Sequence, residues 1–298
     1  MKSLRKLIKI FTTLYRSILW KINKSFRTRG IIRTKQGIFN IVFNVEDSIS
    51  RSLFLYKKYH LDHVEKTIAF LQEQYGYKKG EGTMLDIGAN NGVISIAMLS
   101  NGYMNQSIAI EPDPTNYSIL LENAKLNNLY ESMICLNVAA SDSKSSLDFE
   151  LSADNYGDHR IRNDQDISDQ LELYQETVRQ IITVPSDTLD NILEGIESKF
   201  KTNIALIWVD IQGHEGFAFE GAKKIFSKDI PVVSEIWPYG ILRSGKSLVD
   251  FNVIVSSIWS HFWVWRKNKF VKYPIEYFSY FLDELGTDGD FDDVIFSK

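Results

Sequence analysis

Cysteine is nearly missing from this chain of 298 residues: Cys135 is its only one. No internal disulfide can form, so the fold does not depend on an oxidising compartment, and a cysteine-based metal site is excluded. Cys135 lies in the apolar stretch Met133-Ile134-Cys135-Leu136, where a thiol is expected to pack as an inert small hydrophobe. Long apolar runs are missing as well. No uncharged apolar stretch reaches the roughly 18 residues that a membrane-spanning helix needs, so no such helix is expected. Lys9 and Arg16 interrupt any secretory h-region. There is no internal repeat and no low-complexity tract.

Acid is missing from residues 1–45, which hold eleven Lys and Arg. The chain has 34 bases and 38 acids in all, so the remainder carries 23 bases against 38 acids, a net −15 under an overall −4. A basic segment on an acidic body reads as an interaction tail. The acidic body would repel phosphates over most of its surface, so nucleic acid is not an expected partner.

The basic segment has a helical pattern. Leu4, Leu7, Ile8, Phe11, Leu14, Tyr15, Ile18, Leu19 and Ile22 recur at spacings of three and four, which places them on one face. Lys2, Arg5, Lys6, Lys9, Arg16 and Lys21 fall on the other. Two alternatives stay open. Residues 1–29 lie on an anionic membrane surface, which would hold a cytoplasmic protein at the inner face of the membrane. Otherwise the helix packs on the body or on a second subunit of a homo-oligomer. The expected organisation is a basic amphipathic segment over 1–36 and a body over 37–298.

Hydrophobic residues make up 44% of the chain and charged residues 24%, enough for a sizeable core. A strand is expected over residues 37–45 and a helix over 48–75. Strands over 84–87, 107–110, 132–138, 204–210 and 231–236 then alternate with helices over 93–100, 116–126 and 216–227. Regular alternation of this kind implies a mostly parallel sheet covered by helices on both faces. Residues 262–265 and 293–297 read as a closing antiparallel pair. Residues 142–183 interrupt the pattern with a polar stretch too long for a plain connection. It reads as an inserted hairpin plus helix, or as a mobile lid.

The segment Asp86-Ile87-Gly88-Ala89-Asn90-Asn91-Gly92 follows a strand and precedes a helix. Ligands of open parallel sheets bind at such carboxyl ends. Glu111 ends the next strand and is placed to accept both hydroxyls of a ribose. A nicotinamide dinucleotide needs the spacing Gly-x-Gly-x-x-Gly, but Asn90 stands where its second glycine belongs. Asp86 would repel a pyrophosphate and would attract the amino group and sulfonium of S-adenosylmethionine. The cofactor expected is therefore S-adenosylmethionine.

With Glu111-Pro112-x-Pro114-x-Asn116, Val209-Asp210-Ile211-Gln212-Gly213-His214-Glu215 and the strand-closing Glu235, the chain resembles the FkbM family of methyltransferases. The likeness covers about residues 63–240, with a weaker echo in Asp293-Val294-Ile295-Phe296. It implies a class I, Rossmann-like α/β fold with a seven-stranded sheet. The reaction it implies is O-methylation of a hydroxyl on a saccharide or secondary metabolite. Carried onto this sequence, Asp86, Gly88, Ala89, Asn90 and Gly92 would hold the methionine part of the donor and Glu111 its ribose. Ala139 and Asp142 would lie by the adenine, Asp210 beside the donor, and Glu65 would reach it from before the first strand. The chain departs from the family at Gln212, where an acid is frequent.

A hydroxyl acceptor needs a base. His214 is the candidate, with Asp210 orienting it or the acceptor and Glu235 closing the next strand. His159, in the insertion, is a second candidate. Glu215 reads as a helix-start acid. Two carboxylates are too few for an expected metal site. Trp237, Tyr239 and Trp263 are aromatic candidates for a shared rim. Two other functions fit the same residues: a module that binds the donor without turnover, and an N-methyltransferase acting on protein.

Overall fold

The computed structural model describes residues 2–43, 47–163 and 173–298. The end of the strand expected over 37–45 and the middle of the inserted segment 142–183 lie outside the described residues. The chain opens with α1 (Lys2–Phe26) and an antiparallel hairpin of β1 (Arg29–Arg33) and β2 (Ile38–Val42), a ladder that crosses the division at residue 36.

Two helices, α2 (Ser48–Tyr56) and α3 (Leu61–Tyr75), stand where one was expected over 48–75. Asp47 caps α2 by accepting from the Ser50 N–H. The helix ends at Lys57, with a left-handed φ of 59°, and α3 starts from His60 at 48°. Left-handed backbone cannot continue a right-handed helix. The break carries Tyr59 and His60 into the main cleft.

The alternating body runs β3 (Thr83–Ile87), α4 (Val93–Ser100), β4 (Gln106–Ile110), α5 (Pro114–Leu126) and β5 (Met133–Leu136). Next come β6 (Ala139–Ser141), β7 (Ser145–Leu151), β8 (Arg160–Ile161) and β9 (Gln180–Thr188). Helices α6 (Leu189–Glu194) and α7 (Ser198–Lys201) lead to β10 (Ile204–Val209), α8 (Glu215–Glu220), α9 (Lys223–Phe226) and β11 (Val232–Ile236). The chain closes with α10 (Pro238–Arg243), α11 (Leu248–Ile258), β12 (His261–Arg266), β13 (Lys269–Pro274), α12 (Phe278–Leu285) and β14 (Asp292–Ser297).

The main sheet has the order β13-β12-β14-β11-β10-β3-β4-β5. Its strands from β11 to β5 are parallel, and β14, β12 and β13 are antiparallel. The sheet is thus mixed, with eight strands among the described residues rather than seven. The additional strand, β13, is an edge strand carrying Lys269 and Lys272, a composition that protects an edge and hides it from a hydrophobicity pattern. Alternation divides the core. Leu85 and Ile87 pack with Phe219 and Phe251 on one face, while Met84 packs with Ile68, Ile96 and Trp208 on the other. Burying each such side chain contributes about 1.5–3 kcal/mol.

The helix expected over 216–227 is split at Gly221, where an added Cβ would lie 2.0 Å from the Ser141 carbonyl oxygen. The inserted segment forms most of a second sheet, β6-β9-β7-β8. β7 pairs antiparallel with β8, the next strand in the chain, and with the longer β9. Among the described residues, the expected helix is replaced by two single 3₁₀ turns, Tyr156–Asp158 and Glu176–Val178. A buried charge network holds this sheet. Arg160 donates to Glu150 and to Glu176 at 2.7 Å each, and to Asp158 at 3.1 Å. The Tyr239 hydroxyl donates to Glu176, tying the sheet to α10.

Candidate active site

The loop after β3 and the ends of β4, β10 and β11 meet in a cleft of about 570 Å³, walled on one side by the second sheet. This is the end of a parallel sheet at which ligands bind. Gly88, with φ of 87°, stands so close to β10 that an added Cβ would lie 1.9 Å from the Asp210 carbonyl oxygen. Gly88 and Ala89 donate their N–H groups to the Ile110 carbonyl at 2.9 and 3.0 Å, which ties the loop to β4. Gly92 starts α4 and lies behind the loop rather than on the cleft wall.

Glu111 is held by two backbone donors. One oxygen accepts the Asn90 N–H and the other the Asp113 N–H, both at 2.8 Å. Each oxygen keeps a lone pair, and Glu111 lines the cleft. Burial pushes its carboxyl up to about 8, against the lowering effect of the Asp113 N–H. Asp86 also lines the cleft; burial raises it to about 7, although it accepts the Ser95 hydroxyl. The amide groups of Asn90 and Asn116 both donate to the Tyr156 carbonyl, at 3.0 and 3.1 Å, so the second sheet is pinned to this loop. Ala139 and Ala140 supply a flat, small-residue wall. A paired acceptor, small residues and a close-approach glycine fit an adenosine-bearing cation.

The carboxyl ends of β10 and β11 carry the other chemistry. The Gln212 side-chain nitrogen donates to Asp210 at 2.8 Å and to Glu235 at 3.0 Å. Glu235 stands in register with Asp293 on β14, and Asp293 meets the His63 Nδ1 at 3.1 Å. Burial raises Asp210 to about 6, with the Gln212 bond lowering it and Asp293 raising it. Burial and the charges of Asp210 and Asp293 lift Glu235 well above the ordinary carboxylate range. The Tyr59 hydroxyl is raised by burial and by the same carboxylates. Tyr59, Asp210, Gln212 and Glu235 all line the cleft.

His214 lines the same cleft at another corner. Its Nε2 bonds the Ser141 hydroxyl of β6 at 3.0 Å, and its ring stacks on Phe217. Among the described residues its Nδ1 has no hydrogen-bond partner. Burial lowers it to about 4. The Asp210 carboxylate bonds Gln212 and not this imidazole. Glu215 accepts the N–H groups of Ile211 and Gly213, at 3.1 and 3.3 Å, and so shapes the loop rather than the cleft.

Besides Gly92, two expected donor contacts are not in the cleft. Glu65 is exposed on α3, beside Tyr103, because the helix turns that side to solvent. Asp142 is exposed beyond β6, accepting from the Ser141 and Ser143 hydroxyls. His159 lines the cleft, but its Nδ1 is bonded to Asp113 at 2.7 Å and its Nε2 to the Ser152 carbonyl. Of the three aromatics, Trp237 lines the cleft. Tyr239 is buried in the Arg160 network, and Trp263 packs against Phe70 on the far side of the sheet. Cys135 is half-buried, and burial pushes its thiol up to about 12. Tyr59, His60, Tyr156 and Tyr174 were not legible as site residues. For Asp293, the short echo in the last strand was a signal. No group of three or more His, Cys, Asp or Glu among the described residues is arranged to hold a metal ion.

No curated protein matches the chain. Among solved structures, the FkbM methyltransferase of Methylobacillus flagellatus KT is similar at 17% identity and a TM-score of 0.44, over 85% of this chain and 56% of that one. The chain therefore spans little more than half of that protein's length. The Bacillus cereus O-methyltransferase, in complex with SAH, is similar at 13% identity and a TM-score of 0.42, over 80% of this chain and 81% of that one. Methanocaldococcus jannaschii TYW2, in complex with AdoMet, is similar at 13% identity and a TM-score of 0.41, over 91% of this chain and 87% of that one. The methyltransferase FkbM domain matches residues 86–269, more than half of the chain and the whole stretch from Asp86 through Glu235. The chain belongs to the FkbM family of methyltransferases, whose methyl donor is S-adenosylmethionine.

Proposed function

We propose that this chain transfers a methyl group from S-adenosylmethionine to a hydroxyl oxygen of a saccharide or secondary metabolite. One observation carries the reading: a single cleft holds Glu111 with its paired backbone donors and, at the ends of β10 and β11, the Asp210–Gln212–Glu235 group. When bound, the donor supplies a sulfonium methyl for in-line attack. Glu111 accepts the ribose hydroxyls, and Asp86 favours the cationic methionine end. The loop at Gly88 lets the backbone come close enough to position the ligand.

The proton of the acceptor hydroxyl goes to a carboxylate oxygen of Asp210 or Glu235. A base works best with its pKa near the working pH, and Asp210 at about 6 meets that condition better than His214 at about 4. His214, bonded to Ser141, holds β6 against the loop after β10. Trp237 and Tyr59 offer the acceptor ring apolar faces.

The test uses purified full-length chain and methyl-labelled donor, with mono- and oligosaccharides, polyphenols, protein and tRNA as acceptors. Alkali-stable label in a hydroxyl compound is the expected result. Label in protein or tRNA would overturn the acceptor class. Calorimetric binding of the donor without transfer to any acceptor would leave a non-catalytic binding module.

A further inference from the structure

An amphipathic helix on a folded body normally turns its apolar face inward. Helix α1 does the reverse. Trp20 is its buried anchor, 4% exposed and packed on Phe43 and Phe54 at 4.9 and 5.5 Å. Arg16 reinforces the contact by donating to the Leu55 carbonyl at 2.9 Å. These two residues lie on the opposite side of the helix from the apolar stripe. Leu7, Phe11, Leu14, Ile18 and Ile22 are about half exposed or more, and Phe26 is 84% exposed. A continuous stripe of this size on an outer surface needs a cover.

The body is not that cover, since Trp20 already fixes which side faces it. A second copy is disfavoured by charge. Residues 1–45 hold eleven bases and no acid, so two such helices brought face to face would repel each other. The same charges favour an anionic surface, where the apolar side chains enter the acyl boundary and the bases stay at the headgroups. We infer that the outward face of α1 docks the protein on an anionic lipid bilayer, lying in its plane. No helix among the described residues is long and apolar enough to cross a membrane. Behind α1, α2 carries Ser48 and Ile49, which line the cleft beside Asn155, so docking would bring that wall of the cleft toward the bilayer. Residues 1–36 would then form an attachment segment for the body.

The experiment is co-sedimentation of full-length protein with vesicles of one part phosphatidylglycerol to three parts phosphatidylcholine, and with pure phosphatidylcholine. Phe11→Glu/Ile18→Glu is the test variant. Both positions are exposed, so folding and donor binding, checked by thermal melting and calorimetry, are expected to be unchanged. The expected result is strong partitioning onto the anionic vesicles only, lost at least tenfold in the variant and weakened by salt. Equal partitioning onto both vesicles would overturn the inference. So would binding that survives the double substitution but collapses with salt, which would mean that the bases alone hold a polyanion. Sedimentation velocity showing a dimer that the variant dissolves, without vesicle binding, would assign the face to a second copy instead.

Discussion

The backbone carbonyl of Asp210 occupies the space that a side chain at Gly88 would need: a Cβ there would lie 1.9 Å from its oxygen. The donor loop and the strand that carries the proposed base are therefore in direct contact. Gly88→Ala is expected to weaken S-adenosylmethionine binding by tenfold or more and to cost roughly 1–3 kcal/mol of stability from the positive φ alone. Calorimetry and thermal melting check both parts. An alanine variant with unchanged affinity would sink the proposed role of the loop.

Glu111→Gln tests the donor end. An amide can present only one oxygen, so one of the N–H groups of Asn90 and Asp113 would face an NH₂. A buried donor left without its partner costs about 1–3 kcal/mol. Donor affinity is expected to fall at least tenfold in calorimetric titration. Asp142→Ala, at an exposed position off the cleft, is expected to bind the donor normally.

The same buried acids make stability depend on pH. Burial lifts Asp86 to about 7, Glu111 to about 8 and Glu215 to about 7, against values near 4 in an unfolded chain. Between those values the folded chain binds more protons than the unfolded one, so stability falls as pH rises. His214, lowered to about 4 by burial, and His60, also lowered by burial, act oppositely up to about 6.5, but burial raises Asp47, Asp210 and Glu235 as well, so the acids outnumber them. The melting temperature of the donor-free chain is expected to be several degrees higher at pH 5 than at pH 8. Glu111→Gln should flatten the slope. A melting temperature that climbs steadily across this range would contradict the account.

Asp210→Asn and Glu235→Gln are expected to lower kcat, a positioned base typically supplying about 10²–10⁴-fold, with little change in donor affinity. His214→Gln should cost less than tenfold. The rate should rise with pH through about 6 as Asp210 ionises. Gln212→Glu adds a third negative charge between two carboxylates, and should move that acid limb to higher pH. A pH profile indifferent to Asp210 and Glu235 but abolished in the His214 variant would return the base role to the imidazole.

Arg160 is 2% exposed and pairs with Glu150, Asp158 and Glu176. Removing one partner of a buried ion pair leaves charge uncompensated and costs about 3–5 kcal/mol. Arg160→Ala is expected to lower the melting temperature and to loosen the second sheet over the cleft, seen as faster amide exchange in residues 145–161. Unchanged exchange there would show that the network does not hold the wall.

The sequence alone determined the turn at the carboxyl end of β3 and the acid on the next strand. The loop from Asp86 to Gly92, Glu111 on the next strand, and the succession of strands and helices along the chain follow from local spacing: a strand, its turn and its helix are written consecutively. The antiparallel partnership of residues 262–265 and 293–297 was legible for the same reason, as two short apolar strands. Only the tertiary structure decided the acceptor end. Asp293 joins Glu235 through a ladder between residues far apart in the chain, and Gln212 proves to be the bridge between two acids. His214 turns to Ser141, because β6 passes the end of β10. Periodicity found the stripe on α1, but it says nothing about which way the stripe faces. Trp20, packed on Phe43 and Phe54, turned it outward, since one well-buried aromatic anchor fixes the rotation of a rigid helix.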